Sequence, residues 1–198
     1  MRTEDLAYWL FLLPVLVALT IVVVAPLFLG VYYSFTDWNG IQTNNFVGFD
    51  NYIALFQDER FLDSLWFTVK FSVVSIFLIN AIGLSLALLV TANLKSNKLL
   101  RTIFFMPNLI GGLILGFIWQ FIFTKAFDGF GSLLGIESLQ GWLSTSTTGF
   151  WALVILMSWQ MSGYIMVIYI AYLEGISNEL LEAAEIDGAS PFQRFRLV

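Results

Sequence analysis

The 198-residue chain contains no cysteine and no histidine. That removes disulfides, thiolate nucleophiles, zinc sites built on those residues, and catalysis by an imidazole. The missing thiols leave the redox compartment open. Charge is also scarce, at 12% against the roughly 25% of an average soluble domain. With 59% apolar residues and a mean hydropathy of +0.83, the chain has too little polar surface to cover a water-soluble fold and reads as an integral membrane protein. Its 9 basic and 14 acidic side chains give a net charge of −5, with no basic stripe that would suit nucleic acid. No lysine follows a glycine, so the phosphate-binding loop G-x-x-x-x-G-K-[ST] is missing, and with it the usual ATPase chemistry.

What the chain does have is four charge-free runs longer than about 18 residues, the length a helix needs to cross a hydrocarbon core of about 30 Å. They cover residues 6–36, 71–94, 102–124 and 150–173, with the polar stretch 144–149 assigned to a loop. The first run exceeds one span, which places its aromatic end (Tyr32, Tyr33, Phe35, Trp38) in the interfacial belt and predicts kinks at Pro14 and Pro26. It is also longer than the roughly 7 to 15 apolar residues of a signal peptide, and Arg2 is offset by Glu4 and Asp5, so it reads as a retained helix. The expected fold is all-α: a polytopic transmembrane helix bundle in which 1–198 is one membrane domain, without repeats or low-complexity linkers.

Basic residues near span ends are retained on the cytoplasmic side. The loop between the second and third runs carries Lys95, Lys98 and Arg101 and no acid, so it, the amino terminus and the segment after Leu173 are expected inside. Arg2, Arg194 and Arg196 add to that side; Arg60, Lys70 and Lys125 fall outside, Lys70 at a span mouth where it can snorkel to water. In the outer loop, Asp50 stands where it can cap a short helix with Tyr52, Leu55 and Phe56 on one face, suited to the membrane interface or to plain loop packing.

Small residues four apart mark close helix contacts in lipid, and Gly112/Gly116, Gly83/Ala87 and Ala81/Ser85 are expected to be buried against neighbours. Polar side chains at bilayer depth (Asn80, Asn108, Gln120, Ser158, Gln160, Ser162) line an interior path or pair across helices. Met106-Pro107-Asn108 and Gly111-Gly112 weaken regular helix at the start of the third run and can turn backbone carbonyls toward a cavity. Trp159-Gln160-Met161-Ser162-Gly163-Tyr164 gathers amide, hydroxyl and aromatic groups. Amides and hydroxyls match vicinal hydroxyl groups and aromatic faces match a sugar ring, whereas an ionic solute would want a fixed charge at depth, which no run holds. Asn80, Asn108, Gln120, Trp159, Gln160 and Tyr164 are therefore the candidate substrate-path residues. With no Asp inside a run, an intramembrane aspartyl pair is excluded. A gradient-driven carrier or channel is the other class of reading, and it would want ionisable residues within the spans.

Composition changes after Leu173. Ser177 or Asn178 can cap a short helix, Glu179 favours its first turn, and Asp187-Gly188 ends it with a glycine suited to the left-handed conformation. Ser190, Pro191 and Gln193 signal a second helix opened by a capping box. Leu180, Ala183 and Ala184 share one face of the first helix, where small alanines let another protein approach closely.

Glu182-Ala183-Ala184-x-x-Asp187-Gly188-Ala189, with Phe195 following, resembles the EAA motif of the membrane subunits of binding-protein-dependent ABC importers. Tyr33-Ser34-Phe35-Thr36, Phe46-Val47-Gly48-Phe49-Asp50-Asn51-Tyr52 and Arg101-Thr102-Ile103-Phe104-Phe105-Met106-Pro107 resemble the carbohydrate-uptake branch, the maltose, lactose and glycerol-phosphate type permeases. The sequence departs from the family at Ser177, often proline, and Tyr172, often glycine, which bears on the entry angle of the first coupling helix. The resemblance implies a non-catalytic permease subunit in the membrane of a prokaryotic cell, for a sugar, an oligosaccharide or another neutral or glycerol-phosphate-type solute. It implies as partners a second homologous permease subunit, two ATP-binding cassette ATPase subunits and an extracytoplasmic solute-binding protein, with lipid around the bundle. The chain itself would bind no cofactor, ATP being used by the partner subunits. Glu182, Ala183, Ala184, Asp187, Gly188 and Ala189 would form the joint with an ATPase subunit, and two more spans would follow Val198, the chain being truncated there.

Overall fold

A computed structural model describes residues 3–42, 45–92 and 96–197. Arg2, Leu94, Lys95 and Val198, which entered the topology reading, lie outside the described residues. Among those described, regular structure is helical apart from an isolated antiparallel bridge between Thr36 and Phe46. Four helical stretches are long and apolar enough to cross a membrane: Tyr8–Ser34, Glu59–Thr91, Gly112–Leu134 and Ser146–Glu174. The chain divides into two compact units, Met1–Phe67 and Thr68–Val198.

In the first unit, α1 (Thr3–Leu19) passes through Pro14 and continues into a π turn, Thr20–Val24, before α2 (Ala25–Ser34). The π turn lies just ahead of Pro26, which has no N–H and whose ring would collide with the Val22 carbonyl in a regular α turn; widening the helix there relieves the collision. The carboxy-terminal end of α2 is closed by side chains from further along. The Asn51 amide Nδ2 donates to the Ser34 carbonyl at 2.9 Å and to the Thr36 carbonyl at 2.8 Å, satisfying groups that a helix end leaves unpaired. The Tyr52 hydroxyl pairs with Ser34 Oγ at 2.7 Å, and the Phe35 ring meets Phe46, Phe49 and Tyr52. The short helix α3 (Asp50–Gln57) follows, but Asp50 does not cap it. Phe49 takes the capping position, its carbonyl accepting from the Ile53 N–H at 3.0 Å, so Asp50 falls inside the first turn and acts only through the helix dipole.

α4 (Glu59–Thr91) contributes its later turns to the second unit, where Ser75, Ile79, Gly83, Ala87 and Val90 form a buried stripe along one face. That stripe packs on α8 (Ser146–Glu174), whose Ser158, Ser162, Gly163, Met166 and Ile170 are buried. Ala87, Val90, Met166 and Ile170 form the core cluster, flanked by Leu100, Phe104, Tyr169 and Leu173. The helices touch where side chains are absent. A Cβ on Gly83 would lie 2.8 Å from Ile165 Cγ2, and one on Gly163 would lie 1.9 Å from the Phe104 carbonyl oxygen.

The expected contact faces divide accordingly. Gly83 and Ala87 are buried, whereas Ala81 and Ser85 are exposed. The two pairs are two residues apart, about 200° around the helix, so one neighbour cannot cover both. Gly112 and Gly116 are exposed as well, with nothing within 4 Å of a Cβ at either.

The charge-free run 102–124 is not one helix. An amphipathic helix, α5 (Asn97–Phe105), passes into a 3-10 turn at Met106–Leu109, and Ile110 and Gly111 are extended, with ψ of 124° and 139°. α6 (Gly112–Phe121), a second π turn (Ile122–Ala126) and α7 (Phe127–Leu134) then make the third span. The break falls at Pro107 and Gly111, where those residue types are expected to weaken regular helix, but the helical stretch runs on past Lys125 and Asp128, beyond the end of the charge-free run. α8 likewise begins within the stretch read as a loop, because Thr145 and Thr148 form a capping box, with Thr148 N–H donating to Thr145 Oγ1 at 3.2 Å.

Candidate functional site

Three residues, 175–177, separate α8 from α9 (Asn178–Ile186), and a tight turn leads to α10 (Pro191–Leu197). Ser177 holds the extended N-cap conformation of α9 but makes no side-chain capping bond. The far end of α9 is fully closed. Gly188 sits at φ +76°, its N–H donates to the Glu185 carbonyl at 3.0 Å, and the Ala189 N–H donates to the Ala184 carbonyl at 3.0 Å. These two bonds make a Schellman motif, which needs glycine at the left-handed position. α10 opens with the expected capping box: Gln193 Oε1 accepts from the Ser190 N–H at 2.8 Å, and Ser190 Oγ accepts from the Gln193 N–H at 3.3 Å. An ion pair at 3.0 Å between Arg194 and Glu185 ties the two helices together.

Of the expected joint, Glu182, Ala183, Asp187 and Gly188 are exposed, while Ala184 and Ala189 are half-buried in the turn. Leu180, Ile186, Phe192 and Phe195 are exposed apolar side chains on the hairpin, unusual for a segment outside the spans and typical of a surface that receives a partner. Of the five acids between Glu174 and Asp187, two serve the chain itself: Glu185 holds Arg194, and Glu174 pairs with Arg101 of α5.

A cleft of about 640 Å³ opens among α4, α5 with its 3-10 turn, and α8. Ile82, Phe104, Pro107, Ser158, Trp159 and Ser162 are among its lining residues, and most of the wall is apolar. Trp159 alone of the six substrate-path candidates lines it. Asn80 borders a separate cavity of about 530 Å³, where its Oδ1 accepts from the Tyr169 hydroxyl at 2.8 Å and its Nδ2 donates to the Ile76 carbonyl at 2.8 Å. Asn108 Nδ2 faces Met161 Sδ at 3.7 Å, and Gln120 lies on an open groove beside Gly112 and Gly116. Gln160 is half-buried and Tyr164 exposed on α8. The six residues thus do not converge on one cavity.

Sequence reasoning missed three features. Gly163 is the closest helix contact, hidden because no small residue stands four away on the same face. Trp159 meets Trp119 edge to face at 5.4 Å; Trp119 meets Phe123 at 5.0 Å, and Phe123 stacks on Trp142 at 5.3 Å, an aromatic series assembled from three separate segments. The Arg101–Glu174 pair had a usable signal, since these are the first charges bounding two runs on the side read as inner.

Comparison with known proteins agrees with this architecture. Residues 79–198 match the family model described as binding-protein-dependent transport system inner membrane component. The chain is 55% identical over 191 residues to the probable starch degradation products transport system permease protein AmyD of Thermoanaerobacterium thermosulfurigenes, covering 96% of this chain and 65% of that protein. It is 32% identical over 201 residues to the trehalose/maltose transport system permease protein MalF of Thermococcus litoralis, covering 100% of this chain and 68% of the relative. A crystal structure of a bacterial ABC transporter involved in the import of the acidic polysaccharide alginate superposes with a TM-score of 0.81 at 22% identity, over 98% of this chain and 67% of that one, a likeness of fold. The chain spans about two thirds of the length of these proteins. On its family match and its four-span all-α fold, the chain belongs to the binding-protein-dependent transport system inner membrane components.

Proposed function

We propose that the chain is the membrane-spanning permease part of an ATP-driven importer that carries products of starch degradation, or a related neutral oligosaccharide, into a prokaryotic cell. The observation that carries this is the capped α9–α10 hairpin, which follows spanning helix α8 after only residues 175–177 and exposes apolar side chains for a partner. A push on that hairpin passes directly to a helix that walls the cleft. In this reading Glu182, Ala183, Ala184, Asp187, Gly188 and Ala189 form the joint with an ATPase subunit. The subunit is non-catalytic and holds no cofactor; two ATP-binding cassette subunits use the ATP. A second homologous permease completes the path, and an extracytoplasmic solute-binding protein delivers the solute to it.

The path runs past Trp159, with Asn80, Asn108, Gln120, Gln160 and Tyr164 as further candidate contacts. Its uncharged lining and the sugar-transport names of the relatives both support a neutral solute of linked glucose units. Residues 1–198 act as one membrane domain with the amino terminus cytoplasmic. Proline at position 188 tests the reading, because its φ near −65° is incompatible with +76° and it removes the N–H bonded to Glu185. In the full-length protein, Gly188→Pro is expected to reach the membrane in normal amounts and to abolish uptake of maltooligosaccharides by cells; undiminished uptake would refute the joint.

A further inference from the structure

Three observations concern the contact between α8 and α5. Arg101 of α5 forms an ion pair with Glu174, the last residue of α8. One turn further along α5, the Phe104 backbone lies against Gly163, so close that no Cβ fits between them. Leu100 and Phe104 pack against the core cluster that contains Met166 and Ile170 of α8. α5 is thus fastened to α8, and its far end at Phe104, with Met106 and Pro107 of the 3-10 turn that follows, forms one wall of the 640 Å³ cleft.

From this we propose that the Arg101–Glu174 pair is the clamp that makes α5 travel with α8 when the α9–α10 hairpin is displaced, so that motion at the ATPase joint reaches the cleft wall. The proposal rests on the reading of the hairpin as that joint. The placement of the pair fits the role. Glu174 stands at the point where α8 hands over to the hairpin, the one position where a lateral pull would peel α8 away from α5. The side chains are 38% and 55% exposed, and an ion pair so open to water adds little to stability. Its removal should therefore leave the bundle, held by Leu100 and Phe104, in place, and free only the two helix ends at Arg101 and Glu174 to part under load. Arg101 and Glu174 are positioning residues, since neither lines the cleft.

Residues 1–198 hold no cysteine, so once any cysteine elsewhere in the complex is replaced, introduced thiols give a direct test. In the full-length permease, assembled with its partner subunits in nanodiscs, spin labels are placed on Leu99→Cys of α5 and Tyr172→Cys of α8, both exposed positions. The expected result is one narrow distance distribution, unchanged between the nucleotide-free and ATP-bound complex. Arg101→Glu should lose it, giving a broadened distribution that shifts with ATP, and the exchanged pair Arg101→Glu with Glu174→Arg should restore it. If Arg101→Glu does not assemble, Arg101→Gln and Glu174→Gln supply the same reading. An unchanged narrow distribution in the single variants, or failure of the exchanged pair to restore it, would overturn the clamp. Failure of the joint itself shows separately: the Leu99–Tyr172 distance still broadens in the single variants, but a thiol on the hairpin captures no ATPase subunit.

Discussion

The buried seam of α8 and the hairpin that follows it both depend on glycine, for opposite reasons. At Gly163 the backbone is ordinary helix, and what matters is space, because a Cβ there would stand 1.9 Å from the Phe104 carbonyl oxygen. At Gly188 there is open space, with nothing within 4 Å, and what matters is the φ of +76° that lets the chain reverse between two helices. Gly112 and Gly116 depend on neither, having neither a close neighbour nor a positive φ. A glycine in a membrane chain therefore marks a contact only where a neighbouring helix comes to meet it, by backbone at Gly163 and by the Ile165 side chain at Gly83, and its spacing from other small residues is a weaker guide than what stands opposite.

The comparison can be sharpened by filling the two kinds of span glycine with the same side chain. Gly163→Leu forces α8 off the Phe104 backbone and should cost about 3 kcal/mol, the upper range for overpacking a close-packed site. Gly116→Leu should stay within about 0.5 kcal/mol, as for substitutions away from packed features. Thermal unfolding of the detergent-solubilised protein measures both, and equal losses would mean that the Gly163 contact is not the tighter one. A smaller effect is expected at the polar bridge between α4 and α8. A double-mutant cycle of Asn80→Ala with Tyr169→Phe should give a coupling of about 0.6 kcal/mol, the average for hydrogen bonds between membrane helices, and no coupling would remove the bridge from the account.

The same contrast explains how much could be read in the sequence. The hairpin was legible almost residue by residue, because its signals are local: Ser190 and Gln193 cap each other, and Gly188 closes the preceding helix, within a few residues of the groups they satisfy. The membrane bundle was legible as a class, since helices that cross lipid must be long and apolar. Its pairings were not. Whether Gly83 or Gly112 meets a neighbour, and whether Asn80 faces a path or the Tyr169 hydroxyl, depends on residues more than eighty positions away or in another helix. At the third span the weakening of regular helix at Pro107 and Gly111 was legible from the residue types, but its bounds were not: absence of charge reports affinity for lipid, whereas Lys125 and Asp128 lie within the helical stretch Gly112–Leu134, Asp128 accepting from the Gly141 N–H at 2.9 Å.

The central claim, that the α9–α10 hairpin is where this permease meets its motor, is tested most directly by cross-linking. Residues 1–198 contain no cysteine, so a thiol introduced at Ala183, exposed on α9, is the sole one in this region, and any cysteine elsewhere in the complex is replaced first. In membranes holding the full-length protein and its partner subunits, a thiol-reactive photo-cross-linker on Ala183→Cys should capture an ATP-binding cassette subunit, whereas the same reagent on Phe28→Cys, exposed in the first span, should not. Capture at position 183 alone is the predicted result; absence of that adduct, or equal capture at both positions, would contradict it.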